Sequence, residues 1–170
     1  FLDLWAGGIE GLPPCFSVIP KLQTTTAPFA IDIDIFTNTN NQLAPGKIRE
    51  FVTSLIEILD AVSSSDKHHT VVVTKKDAPY PATITLDEKK VSGWKSGGHI
   101  FVVTMRDVGG EMQVCYYDKK VQTTVRAYCN KTGVVDTLVE GLDLCPERGL
   151  EEVWDYSVAS KTSWPMLIGS

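Results

Sequence analysis

The chain has 170 residues, of which 43% are hydrophobic and 22% charged, with a formal net charge of −5. A single domain of this size can bury roughly two thirds of its unfolded surface, and no apolar run approaches the ~20 residues of a membrane span. The acidic balance argues against nonspecific nucleic-acid binding.

Residues 1–14 are rich in Gly and Pro and read as an irregular arm. Phe16–Thr26 reads as a strand that Pro20 confines to an edge. Ala30–Thr37 alternates Ile31, Ile33 and Ile35 with Asp32 and Asp34, the pattern of a strand with one wet face. Residues 45–62 carry Ile48, Phe51, Val52, Leu55, Ile56, Leu59 and Val62 at steps of three and four, and Pro45 suits a first helical turn. His69–Lys75 and Ala82–Leu86 read as strands, followed by a Gly93–Gly98 loop that presents Trp94. His99–Arg106, Glu111–Tyr117 and Val121–Cys129 read as a meander turned at Asp107–Gly110 and Asp118–Lys120. Thr132–Leu142 suits a short helix capped by Thr132, and Glu151–Val158 and Ser163–Ile168 suit closing strands. The expected fold is one α+β domain: a mostly antiparallel sheet with one long amphipathic helix on a face. A β-barrel with an accessory helix is the alternative.

Cys15, Cys115, Cys129 and Cys145 form an even set without a CxxC pair, and the chain starts at Phe1 rather than Met. These features predict a secreted chain whose leader has been cut away and which two disulfides hold. Four cysteines allow three connectivities; Cys15–Cys115 with Cys129–Cys145 is favoured. Asn130-Lys131-Thr132 is a glycosylation sequon, which would place Asn130 at the surface.

Asp32 and Asp34 share one strand face about 7 Å apart, close enough to act as an acid–base pair or to bind a cation. Alternating Ile and Asp is also how any half-exposed strand is written. His68, His69 and His99 begin strands, and at most one of the adjacent pair joins a given site. No His/Cys/Asp/Glu spacing matches a metal centre, so no metal or cofactor is expected. Glu147, Glu151, Glu152 and Arg148 form a charged cluster of the kind found in NAD-consuming toxins, or simply a charged loop. Lys75-Lys76, Lys89-Lys90 and Lys119-Lys120 lie beside turns. Trp94 and Lys95, with Lys89 and Lys90, are the residues expected to bind a partner.

The stretch Ser96-Gly97-Gly98-His99-Ile100-Phe101-Val102-Val103 through Arg106-Asp107 resembles a strand of small cysteine-bridged killer toxins encoded by fungal viruses. The cysteine spacing differs from theirs, so no residue role follows from the likeness. In type the chain is similar to small secreted fungal effectors and toxins. The expected function is therefore an extracellular, effector- or toxin-like binding protein acting on a host or competitor protein or cell-surface component, with no nucleic-acid partner. The alternatives are a secreted hydrolase or NAD-consuming enzyme using Asp32, Asp34 and one histidine, and a carrier holding a small apolar ligand inside a barrel.

Overall fold

Alternation of isoleucine and aspartate sets the architecture. In the computed structural model, which describes residues 29–62, 67–86 and 88–155 with the strand pieces Phe16–Ser17, Thr26–Ala27 and Leu167–Ile168, that pattern forms a nine-residue strand. Numbering in chain order, β1 is Phe16–Ser17, β2 Thr26–Ala27 and β3 Phe29–Thr37. Ile31, Ile33 and Ile35 are buried, whereas Asp32 and Asp34 stay partly accessible.

The sheet is built around β6 (Lys89–Val108), a 20-residue strand. It pairs antiparallel with β3, β4 (Lys67–Lys75), β5 (Tyr80–Leu86) and β7 (Glu111–Cys115). Trp94 and Lys95 pair with both β3 and β5, so those strands flank opposite edges of β6. By the same logic β4 lies on the β5 edge, and β7 on the β3 edge. The result is an open five-stranded sheet, not a closed barrel, so there is no barrel interior to carry an apolar ligand. Two small pairs stand beside it: β1 with β9 (Leu167–Ile168), and β2 with β8 (Tyr117–Asp118).

Among the described residues three α-helices cover one face. Helix α1 (Pro45–Ala61) starts with proline in its first turn and buries Ile48, Phe51, Leu55 and Leu59. These meet Ile31, Ile33, Ile35, Ile100 and Val102 from the sheet. Helices α2 (Lys119–Lys131) and α3 (Val134–Val139) add Val125, Cys129, Val135 and Leu138 to the same core. Trp154 closes the core, its ring edge-to-face with Phe29 and Phe51 at 6.2 and 5.9 Å between centroids. Among the described residues no helix is long and apolar enough to cross a membrane.

Several elements differ from the sequence expectation. Val121–Cys129 is helical, not a strand. Its β-branched Val121, Thr123, Thr124 and Val125 suit either state, but the buried stripe Gln122, Val125 and Cys129 has helical spacing. Asp118 is not a hairpin turn residue; its side chain accepts from the Val121 N–H at 2.7 Å and caps α2. Thr132 ends α2 rather than starting α3, where Gly133 at φ 77° is the N-cap. The expected Gly93–Gly98 loop is the middle of β6. A Cβ on Gly97 would collide with the Ile33 carbonyl, and one on Gly98 with the Thr74 carbonyl. Glycine here serves close strand approach, not a turn.

The cysteines are not bridged as expected. Cys115, Cys129 and Cys145 are free thiols, and Cys15 lies outside the described residues, as do the 1–14 arm and Trp164. Cys129 is buried within α2, and burial pushes its thiol up to about 11, so it packs as a small apolar side chain. The Cys145 thiol donates to Glu147 Oε2 at 2.9 Å instead of meeting another sulfur. Asn130 is half-buried in α2, and its side-chain oxygen is buried without a partner.

Replacing Leu55 by alanine should lower unfolding stability by about 2–5 kcal/mol in urea titration, because the cavity opens where α1 meets β3. Glu57→Ala, on the exposed face of α1, should change it by less than about 0.5 kcal/mol.

Candidate active site

The site grows from the outer edge of β3. On its inner edge β3 pairs with β6, which sets Asp32 opposite His99 and Asp34 opposite Gly97. On its outer edge the chain returns more than a hundred residues later. The Asp34 N–H donates to the Val153 carbonyl at 2.8 Å, and the Asp155 N–H donates to the Asp32 carbonyl at 2.9 Å, around an antiparallel bridge between Ile33 and Trp154. Residues opposite one another share a sheet face. His99, Asp32 and Asp155 therefore form one row across three neighbouring chain segments, with Asp34 in the next row. This is the face opposite the helices.

The returning segment is held firmly. Trp154 is buried among Phe29 and Phe51. Arg126 of α2 donates through Nε to the Trp154 carbonyl at 2.8 Å and through its terminal nitrogen to the Glu151 carbonyl. Anchoring Trp154 in the core fixes its neighbour Asp155 beside Asp32.

The electrostatics are uneven. Burial raises the Asp32 carboxyl above its ordinary value; His99 opposes that shift, while Asp34 and Asp155 reinforce it. His99 Nε2 stands 3.5 Å from Asp32 Oδ1, and its Nδ1 is 3.5 Å from Thr74 Oγ1. Asp34, with its side chain 20% exposed, is gripped by two cations: Lys95 Nζ at 3.1 Å and Arg148 Nη2 at 3.0 Å. Arg148 also donates from Nε to Glu152 at 2.7 Å. Burial would depress its guanidinium, but Asp34 and Glu152 more than offset that, so it stays charged. Gly97, between Lys95 and His99 in β6, puts no side chain opposite Asp34.

Of the residues singled out from sequence, Asp32, Asp34, His99 and Lys95 come together. His68 lies on the same face, opposite Met105 and six residues along β6 from His99. His69 faces the helices, where Nε2 is 2.8 Å from Asp60 and Nδ1 is 2.9 Å from Thr104, whose hydroxyl meets Tyr117 at 2.7 Å. Trp94 is half-buried within β6 opposite Thr37, with its side chain on the face away from Asp34. Lys89 and Lys90 sit at the start of β6. Arg148 joins the site alone from its charged cluster. Asp155 was not singled out, although Val153-Trp154-Asp155 repeats the apolar-then-acid ending of Ile31-Asp32.

An acidic row beside a histidine thus lies on the open face of an antiparallel α+β sheet, with Arg148 reaching it from a loop. The profile of the C962R protein N-terminal AEP domain, AEP standing for archaeo-eukaryotic primase, matches residues 1–170, and the chain belongs to that family. No curated protein and no solved structure gives a significant match.

Membership of a primase-like family overturns the expectation of an effector or toxin, and with it the hydrolase, NAD-consuming and carrier alternatives. It also contradicts the expected partners, since a primase-like domain points to nucleic acid and not to a host or competitor protein. Net charge misled because binding responds to local charge, and Lys95 and Arg148 stand at the acidic row.

Asp32→Asn should raise the melting temperature at pH 7. An ionised Asp32 with a raised pKa costs the fold stability above that pKa, so the gain should shrink as pH falls and the wild-type carboxyl protonates. Equal melting curves across the pH range would show that the carboxylate carries no such penalty.

Proposed function

We propose that the domain is a primase-like nucleotidyl transferase that joins nucleoside triphosphates on a DNA template. The observation that carries this reading is the convergence of Asp32, Asp34, Asp155 and His99 on the open sheet face of a domain in this family. In the reaction a 3′-hydroxyl attacks the α-phosphorus of a nucleoside triphosphate and pyrophosphate leaves.

The donor set fits a hard divalent cation. Three carboxylates offer oxygen ligands suited to Mg2+ or Mn2+; burial first, and then the neighbouring Asp34 and Asp155, disfavour the charged form of Asp32, which a cation would favour. Among the described residues no three such side chains close on one point, because Asp34 turns to Lys95 and Arg148. Asp32, Asp34 and Asp155 are the residues that would hold the ion. Bound there, a divalent cation supplies charge neutralisation for the triphosphate and a lower pKa for the attacking hydroxyl.

The chain's own groups do the rest. Lys95 and Arg148 are cations already at the acidic row, positioned to receive the triphosphate and stabilise charge that develops on the leaving pyrophosphate. His99, steadied between Asp32 and Thr74, can donate to a phosphate oxygen.

A primed DNA template incubated with deoxynucleoside triphosphates and Mg2+ or Mn2+ tests this. Wild-type protein should extend the primer, and Asp34→Asn should lose at least the roughly 10- to 100-fold that removing a metal site's supporting residues costs. No extension with either metal, or full activity in Asp34→Asn, would contradict the reading.

A further inference from the structure

The β5–β6 ribbon overhangs the rest of the sheet. β3 pairs with β6 only from Trp94 onward, so Lys89–Gly93 have β5 as their strand partner among the described residues. Residues 75–95 hold five lysines against three carboxylates, in a chain with 16 basic and 21 acidic residues. The charge of this arm thus runs opposite to that of the chain as a whole.

The ribbon is joined to the acidic row. Tyr80 stands opposite Lys95 in register, and so shares the face on which Lys95 reaches Asp34. Tyr80 is 38% exposed. Lys76 Nζ lies 4.2 Å from its ring centroid and 3.1 Å from its hydroxyl. At the tip, Lys89 is within electrostatic reach of Glu147, whose carboxyl is lowered first by the Cys145 thiol and last by Lys89. Glu147 adjoins Arg148 in the chain. Glu88 and Asp77 are the described acids of the ribbon, one at the tip and one at the base.

We propose that the β5–β6 ribbon is the arm that holds a single-stranded nucleic acid leading to Asp34, with Lys89, on the face of Lys95, against the phosphates and Tyr80 stacked on an unpaired base. The inference rests on the nucleotidyl-transfer reading and goes further by naming the surface and the strand state. Lysines spaced along a two-stranded arm suit a phosphate backbone. An exposed ring beside a lysine suits base stacking, which is sequence-tolerant because every base has a π-face. In a duplex that base face is already covered, so the ring favours an unpaired strand.

The test is fluorescence anisotropy with a labelled oligo-dT single strand and a matched duplex, between 50 and 200 mM salt. Each phosphate contact on a single strand contributes about 0.7 to the slope of log affinity against log salt, or about fivefold in affinity at 0.1 M. Lys89→Ala should therefore lose about 0.7 from the slope, whereas Lys90→Ala, on the opposite face of β6, should leave it unchanged. Tyr80→Ala should weaken single-strand binding at least about fivefold with the slope unchanged, and the wild type should bind the single strand more tightly than the duplex. If the wild type binds the single strand and both Lys89→Ala and Tyr80→Ala leave affinity and slope unchanged, the ribbon assignment is overturned while the functional reading stands. Tighter binding of the duplex overturns the choice of strand state. If the wild type binds no oligonucleotide at any salt, the proposal fails. Titration of Mn2+ with a fluorescent nucleoside triphosphate then decides the functional reading separately: no nucleotide binding there overturns that reading too.

Discussion

The register of β3 is the constraint on which the rest depends. The strand is hydrogen-bonded on one side to β6 and on the other to the segment carrying Trp154. Its side chains alternate strictly, so a slip of one residue would drive Asp32 and Asp34 into the core and expose Ile31, Ile33 and Ile35. Burying those isoleucines against Phe51 and Leu55 fixes the register. The same register lines His99 and Asp155 up with Asp32. The apolar face thus stabilises an acidic face that, by itself, works against folding.

Opposing charge is distributed with a purpose on that acidic face. Asp32 is crowded by Asp34 and Asp155, and burial adds to the cost of its charge. Asp34 instead carries two cations, one from the neighbouring strand and one from a loop after α3. Removing either cation would leave a partly buried carboxylate under-compensated. The pairs also keep positive charge beside the place where a triphosphate would lie, so the groups that balance the resting site are the groups the proposed reaction needs.

Local pattern in the sequence was enough for β3 and α1, because each writes its own periodicity over a long run. It was not enough for β6, where Gly93, Gly97 and Gly98 imitate a loop; their reason is the closeness of the Ile33 and Thr74 carbonyls, which lie far away in sequence. It failed for α2, whose valines and threonines suit a strand until Cys129 is seen packing with Val135 and Leu138. The cysteines misled by their even number, since a buried thiol and a bridged one look alike in sequence. Within the site, Asp32, Asp34 and His99 could be listed as candidates, but a strand that is merely half-exposed is written the same way. Asp155 became visible, and Arg148 gained its place beside Asp34, only once the chain folded back along β3 and brought a third carboxylate and a second cation to the same face.

The most direct test is a crystal of the domain soaked with Mn2+ and a non-hydrolysable nucleoside triphosphate, read by anomalous scattering. The account predicts a manganese peak ligated by Asp32, Asp34 and Asp155, with the triphosphate against Lys95 and Arg148. A nucleotide bound elsewhere, or manganese ligated by none of those three carboxylates, would contradict it.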